Sequence, residues 1–216
     1  MNTTTDTQTW AEGWHFATVA SDGKPRERYG ARREIVVGER LAVDGTPAPC
    51  VCGMHASERA LDALSYAINN GNGIIATRVV LDGAIAYQSD KAAATGRTVT
   101  AMLSVEMTDA VLRAVARRCA LDVLPLWRDS APETVIRYLE TGDESIRAAA
   151  WSAAGDAAWD AARAAAGAAA WSAAGDAAWA AARTAAWAAA GAAKIDLYAG
   201  WLDAMLAEAM AEAVTP

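Results

Sequence analysis

The densest chemistry in the chain is the segment Cys50-Val51-Cys52-Gly53-Met54-His55-Ala56-Ser57. Two thiols and an imidazole within six residues admit a zinc reading, with Cys119 or His15 as the fourth ligand. The spacing C-x-C-x2-H is uncommon for a structural site, and no second CxxC or HxxxH accompanies it, so no metal is assigned. A Cys52–His55 nucleophile pair is the catalytic alternative, and it needs contact and an orienting group. The plain structural reading points Cys50 and Cys52 inward from a strand end, turns the chain at Gly53 and lets Ser57 cap a helix. Further along, Asp90-Lys91 and Arg97 are placed to gather near His55 around a small polar ligand. The candidate ligand-binding residues are therefore His55, Ser57, Lys91 and Arg97. No catalytic residue and no cofactor are assigned, because the chain carries no phosphate-binding glycine loop and no carboxylate cluster for a divalent metal.

The elements that must position these residues lie at about 13–140, after a polar N-terminal stretch, 1–12, that is expected to be disordered. Trp14–Ala20 reads as a strand ending in the turn Ser21–Pro25, and Glu34–Val37 and Leu41–Val43 as short strands. Ser57 caps an expected helix over 58–67, which the turn at 69–73 stops. Ile74–Leu81 and Ala84–Tyr87 read as a hairpin about Asp82-Gly83, since Asp-Gly favours positive φ. A strand at Arg97–Leu103 and helices at Asp109–Leu121 and Pro132–Leu139 complete the expected head. The arginines at 26, 28, 32, 33 and 40 alternate with Glu27, Glu34 and Glu39, the pattern of a salt-bridged surface.

From Ala148 to Ala193 the composition changes abruptly: 29 of 46 residues are Ala. Two 20-residue units, 149–168 and 169–188, repeat a four-residue beat of Trp, Gly and Arg. Alanine favours helix, and each beat advances ~40° beyond a full turn, so the indoles spiral around the axis. Exposed indoles on every side are a solubility liability. Trp151, Trp159, Trp171, Trp179, Trp187 and Trp201 are therefore the expected interface of a homo-oligomer, most simply a dimer. A membrane-surface helix would need a basic face, and residues 144–216 are acidic. A conventional amphipathic end follows at Ile195–Ala213.

Composition narrows the partners. The formal charge of −7 and a pI near 4.9 argue against a nucleic-acid binder. No window is apolar enough to span a membrane. Three cysteines make no disulfide framework, which points to the cytoplasm. The expected class is α+β: a small mixed α/β head at 13–140, then an all-helical Ala/Trp-rich repeat region at 144–213.

The order REIVVGERL, CVCGMHASERALDALSYA, RVVLDGAI and SDKAAATGRTV resembles a domain family of unknown function that is widespread in bacteriophages and prophage-bearing bacteria. Gly53-Met54-His55-Ala56-Ser57, Leu61–Leu64 and Tyr66 carry the resemblance most specifically. The Ala/Trp repeat is similar to tails of actinobacterial members, so the resemblance covers essentially the whole chain. It implies a phage or mobile-element origin and a host-cytoplasm location, and it supplies no catalytic residue. The expected function is a non-enzymatic phage accessory protein, with a counter-defence or host-takeover role, that self-associates or binds a host protein. The alternative is a head that binds a nucleotide-like ligand, or acts on one, in a pocket around His55.

Overall fold

The computed structural model describes residues 10–27, 32–126, 131–157 and 177–214. They fall into two compact units. One comprises the described residues up to Leu112 together with those from Ala199 onward, and the other runs from Arg113 to Tyr198.

The first unit is a six-stranded antiparallel sheet, β1 (Glu12–Val19), β2 (Pro25–Arg26), β3 (Arg40–Ala42), β4 (Met54–Ala56), β5 (Ile74–Tyr87) and β6 (Ala92–Met102). The path is β2-β1-β5-β6-β3, and β4 also pairs with β6. Leu41 lies opposite Arg97 and His55 opposite Ala93, so β3 and β4 occupy successive stretches of one β6 edge. The sheet then curls onto itself. Trp14 and Ser57 exchange both backbone hydrogen bonds, at 2.7 and 3.0 Å. They join the end of β4 to β1 and close the path β1-β5-β6-β4 at that end. A half-barrel results.

Ala17 and Val19 of β1, Ile75, Val79 and Leu81 of β5, Ala92, Ala94 and Val99 of β6, and Leu41, Met54 and Ala56 fill its concave core. Each large member contributes roughly 1.5–3 kcal/mol by leaving water. Trp14 and Phe16 alternate to the other face of β1 and are buried too. Helix α1 (Ala60–Ser65) contacts β1. Gly13 lies where β1 and β4 meet, and a Cβ there would sit 2.6 Å from the Ser57 carbonyl oxygen.

Helix α2 (Val105–Val123) starts at Ser104, whose hydroxyl accepts from Met107 N–H at 3.1 Å. Helix α3 (Glu133–Thr141) ends at Gly142 in the left-handed region, φ 67°, where glycine carries no Cβ penalty. Residues 147–157 are also helical (α4), and α5 runs over Ala177–Val214. At its far end Ala199, Leu202, Leu206 and Met210, spaced three and four apart, form one buried stripe of the first unit. There Asp203 Oδ1 accepts from Ala60 N–H at 2.7 Å, so it caps α1, whose own cap residue Arg59 makes no side-chain capping bond.

This architecture corrects the expected fold class. A small mixed α/β head followed by a separate all-helical region is replaced by a curled antiparallel half-barrel with helices, and the end of α5 belongs to the same unit as the sheet. The physical reason is the buried stripe from Ala199 to Met210, which needs an apolar neighbour. The centre of the Ala/Trp repeat, residues 158–176, lies outside the described residues.

Local readings shift as well. Asp82-Gly83 is no hairpin turn. β5 runs through it, with a register shift between Asp82 and Ile85 and Gly83 at φ 79°. A bulge uses the same positive φ as a turn, and the Asp82 carboxylate is held by Arg40. The chain reverses instead at Gln88–Lys91, where Gln88 N–H donates to the Lys91 carbonyl. Ser57 caps no helix because the seam with Trp14 uses its backbone. Glu34–Val37 shortens to a single bridge at Glu34, since Val36 and Val37 face solvent and Gly38 turns the chain.

Candidate functional site

Three of the four expected ligand-binding residues gather around β4. His55 Nε2 accepts from Cys50 N–H at 3.1 Å, which fixes Cys50 in the left-handed region at φ 66°. Arg97 rises from β6, 3% exposed, and its Nη1 donates to the His55 carbonyl at 2.8 Å. Glu27 lies 3.8 Å from the same guanidinium. Lys91, at the β5–β6 reversal, is 5% exposed, with Nζ 3.8 Å from the centroid of the Tyr66 ring. Ser57 is buried on the seam and is not part of this group.

Burial sets the electrostatics. It lowers the His55 pKa, and the Lys91 and Arg97 charges lower it further, so the imidazole is neutral near pH 7. His15, on β1, is held well below 6.5 by burial, then by Arg97 and His55. Its Nδ1 is buried without a partner. Burial brings Arg97 down to about 10, against the pull of Glu27, and it stays charged. For Lys91, burial acts downward but is outweighed by hydrogen bonds to Cys50 and Tyr66, so its pKa rises.

Beside this group a cavity of about 470 Å3 opens between Trp10, α1 and the Gln88–Lys91 reversal. Trp10 packs edge-on against Tyr87, centroids 5.7 Å apart, and Tyr87 hydroxyl donates to the Trp10 carbonyl at 2.6 Å. Arg59 and Asp62 line the opposite side and pair with each other at 2.9 Å. Glu58 completes the rim with no partner among the described residues. Asp90 accepts from the Tyr66 hydroxyl through Oδ2. Two polar atoms of this lining are buried and unpartnered, the donor Trp10 Nε1 and the acceptor Asp90 Oδ1. Buried polar groups are nearly always satisfied, so this pair marks a place where a ligand or water completes the structure.

A larger cavity of about 730 Å3 lies between the β1–β2 turn and residues 68–72. Of its charged lining, Arg26 pairs with Asp22 at 2.6 Å, and Glu27 pairs with Arg33 at 3.0 Å. None of the buried, unpartnered polar atoms of the described residues belongs to its lining.

Among the described residues no three His, Cys, Asp or Glu side chains converge as a metal site. The Cys52–His55 reading meets the fact that the imidazole Nε2 is engaged by the Cys50 backbone. Cys119 sits on α2 in the second unit, its thiol pushed up by burial. The expected interface tryptophans are scattered. Trp151 is 83% exposed and Trp201 half-buried in the first unit. Trp159 and Trp171 lie outside the described residues, as do the side chains of Trp179 and Trp187. No helix among the described residues is long and apolar enough to cross a membrane.

The sequence reading placed Trp10 in a disordered stretch, left Glu58 and Arg59 unassigned, and took Asp62 and Tyr66 only as marks of the family resemblance. A single indole ending the polar run MNTTTDTQTW was the available signal. No protein family, no curated protein and no solved structure matches the chain.

Proposed function

We propose that the half-barrel unit is a binding module for a small polar molecule, held in the cavity between Trp10, α1 and the Gln88–Lys91 reversal. The observation that carries this reading is the pair of buried, unpartnered polar atoms of opposite sense on one cavity wall. The cavity is in the size range of small-molecule sites. Its lining balances Glu58, Asp62 and Asp90 against Arg59 and Lys91, a net negative wall that repels a polyphosphate. That narrows the expected ligand from a nucleotide-like molecule to a small one with little net charge. The proposed role is binding; the one imidazole of β4, His55, is committed to a backbone N–H.

The test is a titration of the full chain with amino acids, amines, carboxylates and nucleotides, following the indole N–H resonance of Trp10 assigned by Trp10→Phe. At least one class of ligand shifts that resonance at millimolar concentration or below. No shift from any class refutes the module.

A second reading concerns the other unit and has its own support. Trp151, Ile195 and Leu197 of that unit are 83%, 52% and 42% exposed, large apolar side chains that a partner could cover. Self-association through these side chains, most simply as a dimer, fits a cytoplasmic accessory protein of phage origin. A host protein is the other candidate partner. Light scattering distinguishes a dimer from the 22.5 kDa monomer.

A further inference from the structure

Asp90 and Lys91 are neighbours in sequence and opposite in charge, yet they form no salt bridge with each other. Tyr66 stands between them: its hydroxyl donates to Asp90 Oδ2 and its ring face carries the Lys91 ammonium. Each charge therefore keeps an unused valence. Asp90 Oδ1 is buried and unpartnered, and Lys91, 5% exposed, forms no ion pair among the described residues. A buried ammonium resting only on a ring and a thiol is incompletely compensated. Both residues line the same cavity, with Glu58 unpartnered at its rim and the Trp10 indole as an apolar wall whose Nε1–H is unpaired.

We propose that this cavity recognises a zwitterion of the α-amino-acid type, its ammonium received by Asp90 and Glu58, its carboxylate by Lys91 and Trp10 Nε1, and its side chain laid along the indole. The inference rests on the binding reading above and names its ligand class. The complementarity is specific. A lone amine leaves Lys91 and the indole N–H unmet, a lone carboxylate leaves the buried Asp90 Oδ1 unmet, and a nucleotide brings excess negative charge to an acidic wall. Charge-assisted hydrogen bonds at a desolvated site make each unmet group costly.

The experiment uses the full chain and matched triplets: each common α-amino acid, its decarboxylated amine and its deaminated acid. Binding is followed by the Trp10 indole resonance and by calorimetry. The best amino acid binds about tenfold or more tighter than both of its counterparts. Asp90→Asn weakens the amino acid and the amine while leaving the acid unchanged. Lys91→Met, whose side chain fills the same stem volume, does the reverse, and Lys91→Arg restores the acid. Unchanged amide spectra show that both variants fold. An amine or acid that binds as tightly as its amino acid overturns the inference but leaves the module standing, as does a nucleotide that binds in preference. Silence from every triplet and from nucleotides overturns both.

Discussion

The two units hold themselves together by different means. The half-barrel buries β-branched and aromatic side chains through pairings far apart in sequence, β1 with β5 and β3 and β4 with β6. It also encloses polar groups, with Arg97, Lys91 and Thr77 among the buried residues. Among the described residues, the Arg113–Tyr198 unit buries Val115, Leu124, Val135 and Ala150. Its polar contacts lie at the surface: Asp122 receives Lys194 and the Tyr198 hydroxyl, and Glu144 receives Arg113 and Arg147. Exposed pairs of that kind contribute little each. A core assembled from distant strands can enclose charge and shape a cavity. A helical unit built largely from alanine gains little by burial and has side chains to offer outward.

The sharpest way to break this contrast is at the seam. Gly13→Ala places a Cβ against the Ser57 carbonyl and the Trp10 ring. It is expected to cost the half-barrel about 2–3 kcal/mol, an overpacking penalty with no flexible neighbour to yield. Hydrogen exchange resolved by peptide shows faster opening of β1, β4 and β6, with α3 unchanged. Equal loss in both units would show that they unfold as one.

Proton uptake separates the units more gently. Both histidines of the chain, His15 and His55, lie in the half-barrel, and both are held below 6.5. Below 6.5 the unfolded chain takes up protons that the folded half-barrel refuses. Its stability is therefore full above about pH 7 and falls as pH drops through 6.5, by up to about 1.4 kcal/mol per pH unit for each histidine. Urea melts between about pH 7 and pH 5, with His15→Gln removing the larger share, read the effect. No change across that window would mean that the folded half-barrel takes up these protons as readily as the unfolded chain.

The smallest effect belongs to the other unit. The hydrogen bond to Asp122, with burial second, pushes the Tyr198 phenol up to about 12. Asp122→Asn returns it toward 10.0, seen in an ultraviolet titration against a Tyr198→Phe control. A phenol that already titrates near 10 would show that the contact does not persist in solution.

What the sequence made legible follows the range of the forces involved. The β1 strand and α3 announce themselves through alternation, helical spacing and caps, all signals within a few residues. His55, Lys91 and Arg97 were grouped by chemical type, and the curl of the sheet sets them around β4. β4 itself is three residues long, too short for a period to register. Asp82-Gly83 misled because a bulge and a turn ask for the same backbone angle, and the distant Arg40 decides between them. Trp10 looked like part of a loose terminus because the Tyr87 that fixes it is 77 residues away. The cavity was illegible for the same reason: its walls come from three separate stretches of chain.

The cap that Asp203 places on α1 spans 143 positions, and the order of synthesis gives that distance a meaning. At translation rates of about 5–20 residues per second, α1 leaves the ribosome roughly seven to thirty seconds before its cap exists. Through that interval the first-turn amide of the helix beside the cavity lacks its intended acceptor, and the apolar surface awaiting Leu202 and Leu206 stands open. The nascent chain is thus most exposed to proteases and chaperones during this wait. A message broken inside the alanine-rich stretch would leave a half-barrel that never receives its latch.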